Sequence, residues 1–396
     1  MKKGWEIKKL GEICRFINGR AYSQHELLKE GKYPVLRVGN FYTNRDWYYS
    51  DLELPEDKYC DKGDLLYAWS ASFGPRIWDG EKVIYHYHIW KVEPIENLIR
   101  KDFLFQLLEW DTEAIKTAHG TGTTMMHVGK GSIENRLIPL PPLPEQQRIV
   151  AILDEAFAAI AKAKANAEQN LKNAKELFES YLQGVFENKG EGWEENRLEE
   201  LADEKCTLSY GIVQPGEEFE NGLPVIRPTD LTNRFINLKG LKRIDPKLAD
   251  GYKRTKLIGD EILLCVRGTT GTISIATKEL NGANVTRGIV PIRFNSKIIN
   301  QEFGYYLLIS NYIQKQIKAK TYGAALMQIN IGDLRKIETA YPTLKTQLTI
   351  VQKLDALSAE TKKLESIYQQ KINDLEELKK SVLQKAFSGE LLIVND

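Results

Sequence analysis

Two glycine-containing loops carry side chains suited to contacts with a nucleic acid. One spans residues 69–76 (WSASFGPR) after a predicted strand, and the other spans residues 266–272 (VRGTTGT) at an aligned position. Hydroxyl and guanidinium groups can pair with base edges, cations pair with phosphates, and glycine lets the backbone approach closely. A second matched pair, residues 119–124 and 320–323, precedes each of two long helical segments. Ordinary turn chemistry also explains any one of these loops, but their recurrence at aligned positions favours two binding sites.

A cluster of basic residues in the second half of the chain is a further candidate. Seven lysines and arginines lie between Lys239 and Lys256, against two acids. Such a cluster is typical of a surface that faces phosphates, and it is equally compatible with a solvated loop. The whole chain has a formal net charge of +1, which does not by itself indicate a nucleic-acid-binding protein.

Both halves of the chain therefore contain candidate DNA-contacting residues. In the first half these are Arg20, Tyr22, Arg37, Trp69, Ser70, Ser72, Arg76, His86, His88, His119, Thr121 and Thr123. In the second half they are Tyr210, Arg227, Lys242, Arg243, Lys253, Arg254, Arg267, Thr269, Thr270, Arg287, Lys320 and Tyr322. Equivalent loops with different side chains predict two sites of similar shape that read different sequences.

The sequence predicts no catalytic residues and no metal site. It contains no G-x-x-x-x-G-K-[ST] loop, no G-x-S-x-G elbow and no H-E-x-x-H motif. The Pro141-Pro142 pair follows leucine, whereas an amino-methyltransferase motif would place asparagine or aspartate there. His86 and His88 lie two apart on a predicted strand and so on one face. They lack a third ligand at a suitable spacing, and a polar strand face or a contact with a base or phosphate is favoured over a metal.

Composition indicates a globular protein of two to three domains. The chain has 396 residues, of which 42% are hydrophobic and 28% charged. No stretch approaches the roughly 18 consecutive apolar residues of a membrane span, and we expect neither a membrane partner nor a signal peptide. The four cysteines are scattered, which predicts reduced structural thiols in a cytoplasmic protein.

The chain contains two copies of one unit. Gly4-Trp5-Glu6 returns as Gly192-Trp193-Glu194 at an offset of 188, and the Glu-Leu…Phe segment at 176–186 returns at 377–387 at an offset of 201. Two shorter matches lie between them, namely 34–37 with 224–227 and 63–64 with 259–260. A period near 200 residues indicates domain duplication rather than a solenoid, whose repeats have about 20–50 residues.

Each copy begins with a predicted globular domain of mixed strands and helices. In the first copy the predicted strands are 35–38, 64–68 and an alternating run over 83–92, followed by a helix over 101–116. In the second copy they are 225–227, 261–266, 272–277 and 288–294, followed by a helix over 301–318. This order predicts an α+β domain in each copy.

Each copy ends in a long predicted helix with a coiled-coil seam. Ten positions from Leu153 to Val185 follow a 4-3 spacing, and a similar seam runs from Ile350 to Val382. A helix of about 40 residues extends roughly 60 Å and would expose its apolar seam if it stood alone. We expect the two helices to pair with each other, in antiparallel fashion, and to hold the globular domains apart. Pairing with a helix of another protein remains an alternative.

Residues 141–149 (PPLPEQQRI), placed before the first long helix, resemble the central region of type I restriction-modification specificity subunits. The Gly-Trp-Glu start of each copy, the Gly-Asp before a strand and residues 387–391 (FSGEL) are also similar to that family. The resemblance covers residues 4–392 and keeps the order of the parts. The Pro-Pro-Leu-Pro-Glu-Gln string is the most specific of these motifs.

The resemblance implies a non-catalytic specificity subunit of a prokaryotic complex. It implies two target recognition domains, over 1–143 and 191–344, and two helical spacers, over 144–190 and 345–396. Each domain would read one half of a split site on double-stranded DNA. Two methyltransferase subunits would bind S-adenosylmethionine, and restriction subunits with ATP and magnesium would join for cleavage, so that this chain binds no cofactor.

The fold expected from the duplication and the resemblance is α+β, with two similar recognition domains joined by two long helices in an antiparallel coiled coil, and with internal pseudo-twofold duplication. The candidates for docking of partner subunits are Pro142, Glu145, Gln146 and Gln347. The second copy keeps one proline and the glutamine but lacks the glutamate, so we expect unequal docking at the two junctions. Two alternatives remain at this point, namely a specificity polypeptide of another restriction-modification type and a coiled-coil scaffold that binds proteins.

Overall fold

The chain forms two compact units. The computed structural model describes residues 4–43, 46–70, 74–119, 129–324 and 326–391. The first unit comprises Met1–Glu168 and Gln369–Asp396, and the second comprises Gln169–Tyr368. Each unit therefore contains one globular domain with a segment of each long helix. The domain limits predicted from the sequence assign the helices to spacers of their own and stay a prediction.

The first copy contains ten strands and five helices within the described residues. The strands are β1 (Glu6–Lys9), β2 (Cys14–Asn18), β3 (Tyr33–Leu36), β4 (Tyr48–Ser50), β5 (Tyr59–Cys60), β6 (Leu65–Ala68), β7 (Gly74–Ile77), β8 (Val83–Tyr85), β9 (Ile89–Pro94) and β10 (Leu137–Leu140). The helices are α1 (Leu10–Ile13), α2 (Val38–Thr43), α3 (Lys101–His119), α4 (Lys130–Glu134) and the long helix α5 (Leu143–Glu187).

The second copy repeats this order with nine strands and five helices within the described residues. The strands are β11 (Glu194–Arg197), β12 (Leu223–Ile226), β13 (Phe235–Ile236), β14 (Lys242–Ile244), β15 (Ile262–Cys265), β16 (Ile273–Ala276), β17 (Asn284–Val285), β18 (Ile289–Ile292) and β19 (Glu338–Tyr341). The helices are α6 (Leu198–Leu201), α7 (Gln301–Ile309), α8 (Asn311–Ala319), α9 (Ile331–Arg335) and the long helix α10 (Leu344–Ser388).

Three sheets form the first domain. Two have four strands, in the orders β2-β9-β6-β7 and β4-β3-β8-β5, and the third is the antiparallel pair of β1 and β10. Strand β6 is buried at all four positions, as expected for a strand covered on both faces. Helix α3 packs its apolar side on the first sheet, around Phe16, Tyr67, Trp90 and Phe103. The β1–β10 pair, in register from Glu6 with Leu140, brings the start of the domain beside its end.

The second domain repeats these sheets with small changes. Its orders are β13-β16-β15-β18 and β14-β12-β17, and β11 pairs with β19 as β1 does with β10. The first sheet has gained the edge strand β13, which is parallel to β16. Gly63 and Gly259 precede the equivalent strands β6 and β15, and both have positive φ angles (93° and 88°) that favour glycine. The predicted duplication and the α+β architecture are thereby confirmed.

One predicted strand is wrong. Residues 83–92 alternate in sequence but form two strands, β8 and β9, which belong to different sheets. Residues 86–88 turn between them, so periodicity alone could not detect where the chain leaves one sheet for the other. His86 and His88 lie in this turn rather than on one face of a strand.

The predicted helix over 301–318 is interrupted. Ser310 has an extended backbone (φ −64°, ψ 150°) and separates α7 from α8. Two glutamines satisfy the groups freed by the break. The side-chain amide of Gln314 donates to the backbone carbonyl of Leu308 (2.8 Å). The side-chain carbonyl of Gln183 accepts the backbone amide hydrogen of Asn311 (2.7 Å). Since the exposed helix ends have these partners, the break costs few hydrogen bonds.

The two long helices pack together in antiparallel fashion, as predicted. In the first unit the early part of α5 meets the late part of α10, where Lys164 Nζ lies 2.7 Å from Glu376 Oε1 and Leu153 shares a core with Leu383. In the second unit the late part of α5 meets the early part of α10, where Leu182 shares a core with Leu354. Both helices therefore complete the cores of the domains on which they pack.

The predicted seam fails toward the ends of both helices. Tyr181 and Leu378 belong to the 4-3 pattern but are 39% and 47% exposed, whereas Leu182 and Leu383 are buried. Lys371 is also exposed, and its neighbour Ile372 is buried. A straight helix has 3.6 residues per turn and drifts by roughly 20° per heptad from a 3.5-residue repeat. The buried stripe therefore moves to the next residue where the helices also pack on the domains.

The remaining composition-based expectations concern thiols and membranes. The four cysteines are free and buried, and burial raises the pKa of Cys14 to about 12 and that of Cys206 to about 11. Cys14 and Cys206 are therefore protonated thiols, and all four side chains are packed in the cores. Within the described residues, no helix is both long and apolar enough to cross a membrane.

Two helical glycines give a matched test of this packing. A Cβ atom at Gly304 in α7 would lie 2.1 Å from Cε2 of buried Phe294, whereas one at Gly184 in α5 would meet no atom within 4 Å. We expect Gly304→Ala to lower the free energy of unfolding by about 1–3 kcal/mol through overpacking. Gly184→Ala should raise it by up to about 1 kcal/mol through helix propensity. Thermal denaturation measures both, and a more stable Gly304→Ala variant would contradict the packing.

Candidate nucleic-acid interface

An aromatic cluster occupies the surface of the first domain where β8 turns into β9. It consists of Arg20, Tyr22, Arg37, Trp69, His86, Tyr87 and His88. The ring of His86 stacks on that of Tyr22 (6.3 Å between centroids) and lies 4.8 Å from that of His88. Trp69 meets His88 edge-on (4.9 Å) and stacks on Trp90 beneath it (5.7 Å). Six of the predicted contact residues are thus brought together, and Tyr87 joins them.

The environment of this cluster favours neutral rings. Burial lowers the pKa of His86 to about 4, and the nearby His88 and Arg37 add to the effect. Burial also raises the pKa of Tyr22, whose hydroxyl has no hydrogen-bond partner among the described residues. Arg20 is held by Glu26, with 2.7 Å between Nη2 and Oε1. The surface therefore offers polar aromatic edges beside two arginines, of which Arg20 is paired with Glu26 and Arg37 lies over the Tyr48 ring (5.0 Å to the centroid).

The other candidates of the first domain are less accessible or lie outside the described residues. Ser70 is buried (6% exposed). The Arg76 guanidinium donates to the Phe41 carbonyl and lies 3.1 Å from Asp79, so its hydrogen-bonding groups are largely used within the domain. The structure describes only the backbone of His119, at the end of α3. Outside the described residues lie Ser72, Thr121 and Thr123.

In the second domain two predicted loops converge on one another. The loop after β15 pairs with residues 322–328, where the Gly268 amide donates to the Met327 carbonyl (2.8 Å) and Thr270 Oγ1 donates to the same oxygen (3.1 Å). Arg267 forms a bridge with Gln328, and so does Tyr322, which is 49% exposed. Thr269 is exposed in this loop, and Lys320 is half-buried at the end of α8.

Beside these loops lies a cavity of about 320 Å³, the arginine pocket, lined by Ile212, Val213, Pro228, Arg267, Thr286, Arg287, Gly288 and Leu326. The guanidinium groups of Arg267 and Arg287 are exposed at its rim. In the part of the chain that the structure describes, neither forms an ion pair. Unpaired arginines at the rim of an open pocket can bind base edges or phosphates.

The remaining basic candidates of the second domain differ in how much of their bonding capacity is free. Arg227 is paired with Asp230 at 2.8 Å. Two others donate to backbone carbonyls, Lys242 to that of Gly216 (2.6 Å) and Arg243 to that of Gly222 (3.0 Å). Exposed and available are Lys253 and Arg254. The Tyr210 hydroxyl accepts the amide hydrogen of Ile331 (2.8 Å) and so positions the backbone before α9.

The aromatic cluster and the arginine pocket stand on the same backbone framework. Five hydrogen bonds of the first domain recur in the second at equivalent atoms. In the first they are Arg20 N to Tyr85 O (3.0 Å), Tyr87 N to Arg20 O (3.0 Å), His86 N to Leu36 O (2.9 Å), Ile89 N to His86 O (2.9 Å) and Trp69 N to His88 O (3.0 Å). In the second they are Ile212 N to Val285 O (2.8 Å), Arg287 N to Ile212 O (2.8 Å), Thr286 N to Ile226 O (3.0 Å), Ile289 N to Thr286 O (2.9 Å) and Val266 N to Gly288 O (2.8 Å).

A pair of glycines makes this framework possible. A Cβ atom at Gly19 would lie 2.4 Å from the Tyr85 carbonyl oxygen, and one at Gly211 would lie 2.1 Å from the Val285 carbonyl oxygen. Only glycine fits so close to the neighbouring strand. Sequence reasoning missed both glycines and Tyr87. An alignment of the first copy with the second, at an offset of 192 residues near Gly19 and of 200 residues after Ile89, could have found them.

A family model for the "type I restriction modification DNA specificity domain" matches residues 2–172 and again residues 190–377. The chain belongs to this family. The chain is 27% identical to the EcoBI specificity subunit of Escherichia coli, over 98% of this chain and 86% of that one. It is 26% identical to the MjaVIII specificity subunit of Methanocaldococcus jannaschii, over 99% of this chain and 94% of that one.

Two solved structures share the fold of this specificity-family chain. One comes from work on complex assembly and conformational transition of the type I restriction-modification system, with a TM-score of 0.76, 21% identity and coverage of 98% of this chain and 99% of that one. The other is the HsdS subunit of Thermoanaerobacter tengcongensis, with a TM-score of 0.59, 20% identity and coverage of 98% of both chains. The likeness extends over essentially the full length of each.

The glutamine of the family-like motif has the same role at both junctions of this specificity-family chain. Gln146 donates through Nε2 to the carbonyls of Leu98 and Pro141 (both 2.9 Å), and its Oε1 accepts the amide hydrogen of Arg100 (2.9 Å). Gln347 makes the same three bonds at 2.8 Å, with the Ile298 and Pro342 carbonyls and the Asn300 amide. Each glutamine thereby ties the start of a long helix to the residues that precede a domain helix.

This arrangement corrects one expectation. Gln146 and Gln347 are both 0% exposed, and each uses its amide within its own unit, so neither side chain can dock a partner subunit directly. Their role is to position the long helices. Of the other two docking candidates, Pro142 is exposed and Glu145 is half-buried, with its carboxylate paired to Arg148 (2.8 and 2.9 Å).

Replacement of Gln146 tests this positioning role. Gln146→Met keeps the side-chain length but leaves two carbonyls and one amide without their partner. We expect the free energy of unfolding to fall by roughly 2–4 kcal/mol, since unsatisfied buried groups cost about 1–3 kcal/mol each. Gln147 is exposed, so Gln147→Met is a matched control with an expected change below about 0.5 kcal/mol. Chemical denaturation measures both free energies of unfolding, and equal stabilities of the two variants would contradict the positioning role of Gln146.

The pKa of His86 gives a pH-dependent prediction. Because the folded chain keeps His86 neutral until the pH falls toward 4, while an unfolded chain binds the proton near pH 6.5, acidification between these values favours unfolding. NMR titration of the histidine-labelled chain should show one resonance with a midpoint about 4, which is absent in His86→Gln. The variant should also lose less stability on acidification to pH 5. A His86 midpoint near 6.5 would refute the burial.

Proposed function

We propose that this chain gives a type I restriction-modification complex its DNA sequence specificity by reading a split site, one half with each globular domain. The supporting observation is the shared framework, which presents an aromatic cluster in one domain and an arginine pocket in the other. Equal backbones with unequal side chains suit two half-sites of similar geometry and different sequence. Family membership favours this function over a protein-binding scaffold and over a specificity polypeptide of another type.

The proposed division of labour leaves chemistry to other subunits. The chain would supply the DNA sequence specificity and no catalytic group. Two methyltransferase subunits would bind S-adenosylmethionine and modify adenine, and restriction subunits would use ATP and magnesium. Within the described residues, no group of three or more His, Cys, Asp or Glu side chains could hold a metal ion. The proposal assigns magnesium to the restriction subunits. We place the assembled complex in the prokaryotic cytoplasm.

The two junctions suggest where partners dock unequally. Glu145 and Arg148 form a two-bonded ion pair on the first turn of α5, with their side chains 21% and 34% exposed. At the equivalent place in α10 are Thr346 and Thr349, which carry no charge. A partner that recognises this ion pair at the first junction would find two uncharged side chains at the equivalent positions of the second, so we expect different affinities at the two sites.

Reconstitution tests the proposed function. The chain is combined with the methyltransferase subunits of its own system, and modified adenines are mapped by single-molecule sequencing. We expect methylation at one bipartite motif, with two defined half-sites and a fixed spacer, and no such motif without this chain. Methylation that shows no sequence dependence would contradict the proposed function.

Arg267 gives a residue-level prediction. Because its guanidinium is exposed and unpaired at the pocket rim, we expect Arg267→Ala to relax one position of one half-site and to spare the other half-site. A bidentate arginine–guanine contact carries about 1–3 kcal/mol of discrimination. Lys253→Ala, at an exposed site of the basic cluster, is the control and should weaken binding equally for all sequences. Uniform weakening by Arg267→Ala would make it a phosphate contact instead.

A further inference from the structure

The turn between β8 and β9 and the turn between β17 and β18 present one side chain each. In the first domain, residues 86–88 form this turn. His86 is half-buried against Tyr22, and His88 packs on Trp69. Tyr87, the middle residue, is 39% exposed. Its carbonyl accepts the Trp69 indole hydrogen (2.7 Å), which holds the backbone. Its ring packs against those of His88 (4.0 Å between centroids) and His86 (4.5 Å), and its hydroxyl has no hydrogen bond within the described residues.

The equivalent turn of the second domain follows the same pattern. Thr286 is 7% exposed, and its hydroxyl donates to the Ile226 carbonyl (3.3 Å). Gly288 has no side chain, and a Cβ atom there would lie 2.5 Å from Cγ of Pro228. Arg287, the middle residue, is exposed and free of ion pairs in the described chain. In each turn the middle residue therefore presents the side chain that projects to solvent.

The backbones at these two positions are held alike. The Tyr87 amide donates to the Arg20 carbonyl (3.0 Å), and the Arg287 amide donates to the Ile212 carbonyl (2.8 Å). The flanking residues are fixed by the other four hydrogen bonds of the shared framework. Because a side chain leaves the backbone in a direction set by this geometry, Tyr87 and Arg287 leave their domains at equivalent positions.

We infer that Tyr87 and Arg287 are matched specificity-determining residues, which contact the base pair at the same register position of the two half-sites. This inference rests on the proposed function. Arginine pairs with guanine through two hydrogen bonds to O6 and N7, so the second half-site carries guanine at this position. Tyrosine offers a ring for apolar contact and one hydroxyl, so the first half-site is read there without a bidentate guanine contact.

Reciprocal exchange of the two residues tests the inference. Complexes containing Arg287→Tyr or Tyr87→Arg are reconstituted with the methyltransferase subunits, and their methylated motifs are compared with that of the wild type. Arg287→Tyr should lower the selection for guanine at one position of the second half-site by roughly 10–100-fold. Tyr87→Arg should create selection for guanine at one position of the first half-site. The spacer and the opposite half-site should not change in either variant.

Two further variants separate base reading from phosphate contact and from general effects. Arg287→Gln replaces the guanidinium by an amide that pairs bidentately with adenine, so selection at this position should shift from guanine toward adenine. Arg197→Tyr makes the same substitution as Arg287→Tyr at an exposed arginine of β11 and should leave the motif unchanged. An unchanged motif in Arg287→Gln, with DNA binding weakened equally at all sequences, would assign Arg287 to a phosphate and overturn the inference.

The outcomes also separate the inference from the proposed function. An unchanged motif in both exchange variants, or a loss of methylation that is equal at all sequences, would overturn the matched roles while a wild-type bipartite motif still stands. A wild-type complex without any sequence dependence would overturn both. A new guanine in the first half-site would support the inference in a way that structural damage cannot imitate.

Discussion

A buried glutamine at the start of each long helix is the contact on which the rest of the architecture depends. Its three hydrogen bonds join the helix to the residues before α3 in the first unit and to the residues before α7 in the second. The amide satisfies carbonyl and amide groups that would otherwise be left unpaired at the ends of elements. The direction of each long helix is thereby fixed to the domain that precedes it in the chain.

The domains separate what is constant from what differs. Sheets, register and the glycines at 19 and 211 maintain a common backbone, because a Cβ atom at either position would collide with a carbonyl oxygen. The side chains that this backbone presents differ. In the first domain they are mainly aromatic rings and imidazoles, together with Arg20 and Arg37, and in the second they include the guanidinium groups of Arg267 and Arg287. Burial lowers the pKa of His86, and Arg267 and Arg287 of the second domain form no ion pair within the described residues. The two surfaces thus differ in electrostatics as well as in shape.

Sequence periodicity and duplication were sufficient to predict the architecture but not the site. The repeated Gly-Trp-Glu starts and the largely apolar seams at 4-3 spacing predicted two α+β domains and two long antiparallel helices. Periodicity could not reveal the turn at 86–88, because both strands have the same alternation and only long-range pairing places them in different sheets. The seam was misplaced near Tyr181 and Leu378, since a 3.5-residue repeat drifts from a helix of 3.6 residues per turn. The glutamines were found as residues, but their role was wrong because sequence does not show burial.

The pairing of β1 with β10, and of β11 with β19, closes each domain where it opens. Each domain therefore begins and ends in one two-stranded ribbon, and the rest of the domain is a closed loop of chain between the two strands. The entropy cost of closing a loop grows only slowly with its length, so residues added within a domain do not displace its ribbon. The offset between the two copies grows from 188 to 201 residues within the second domain, and the junction with α10 still keeps the geometry of the junction with α5.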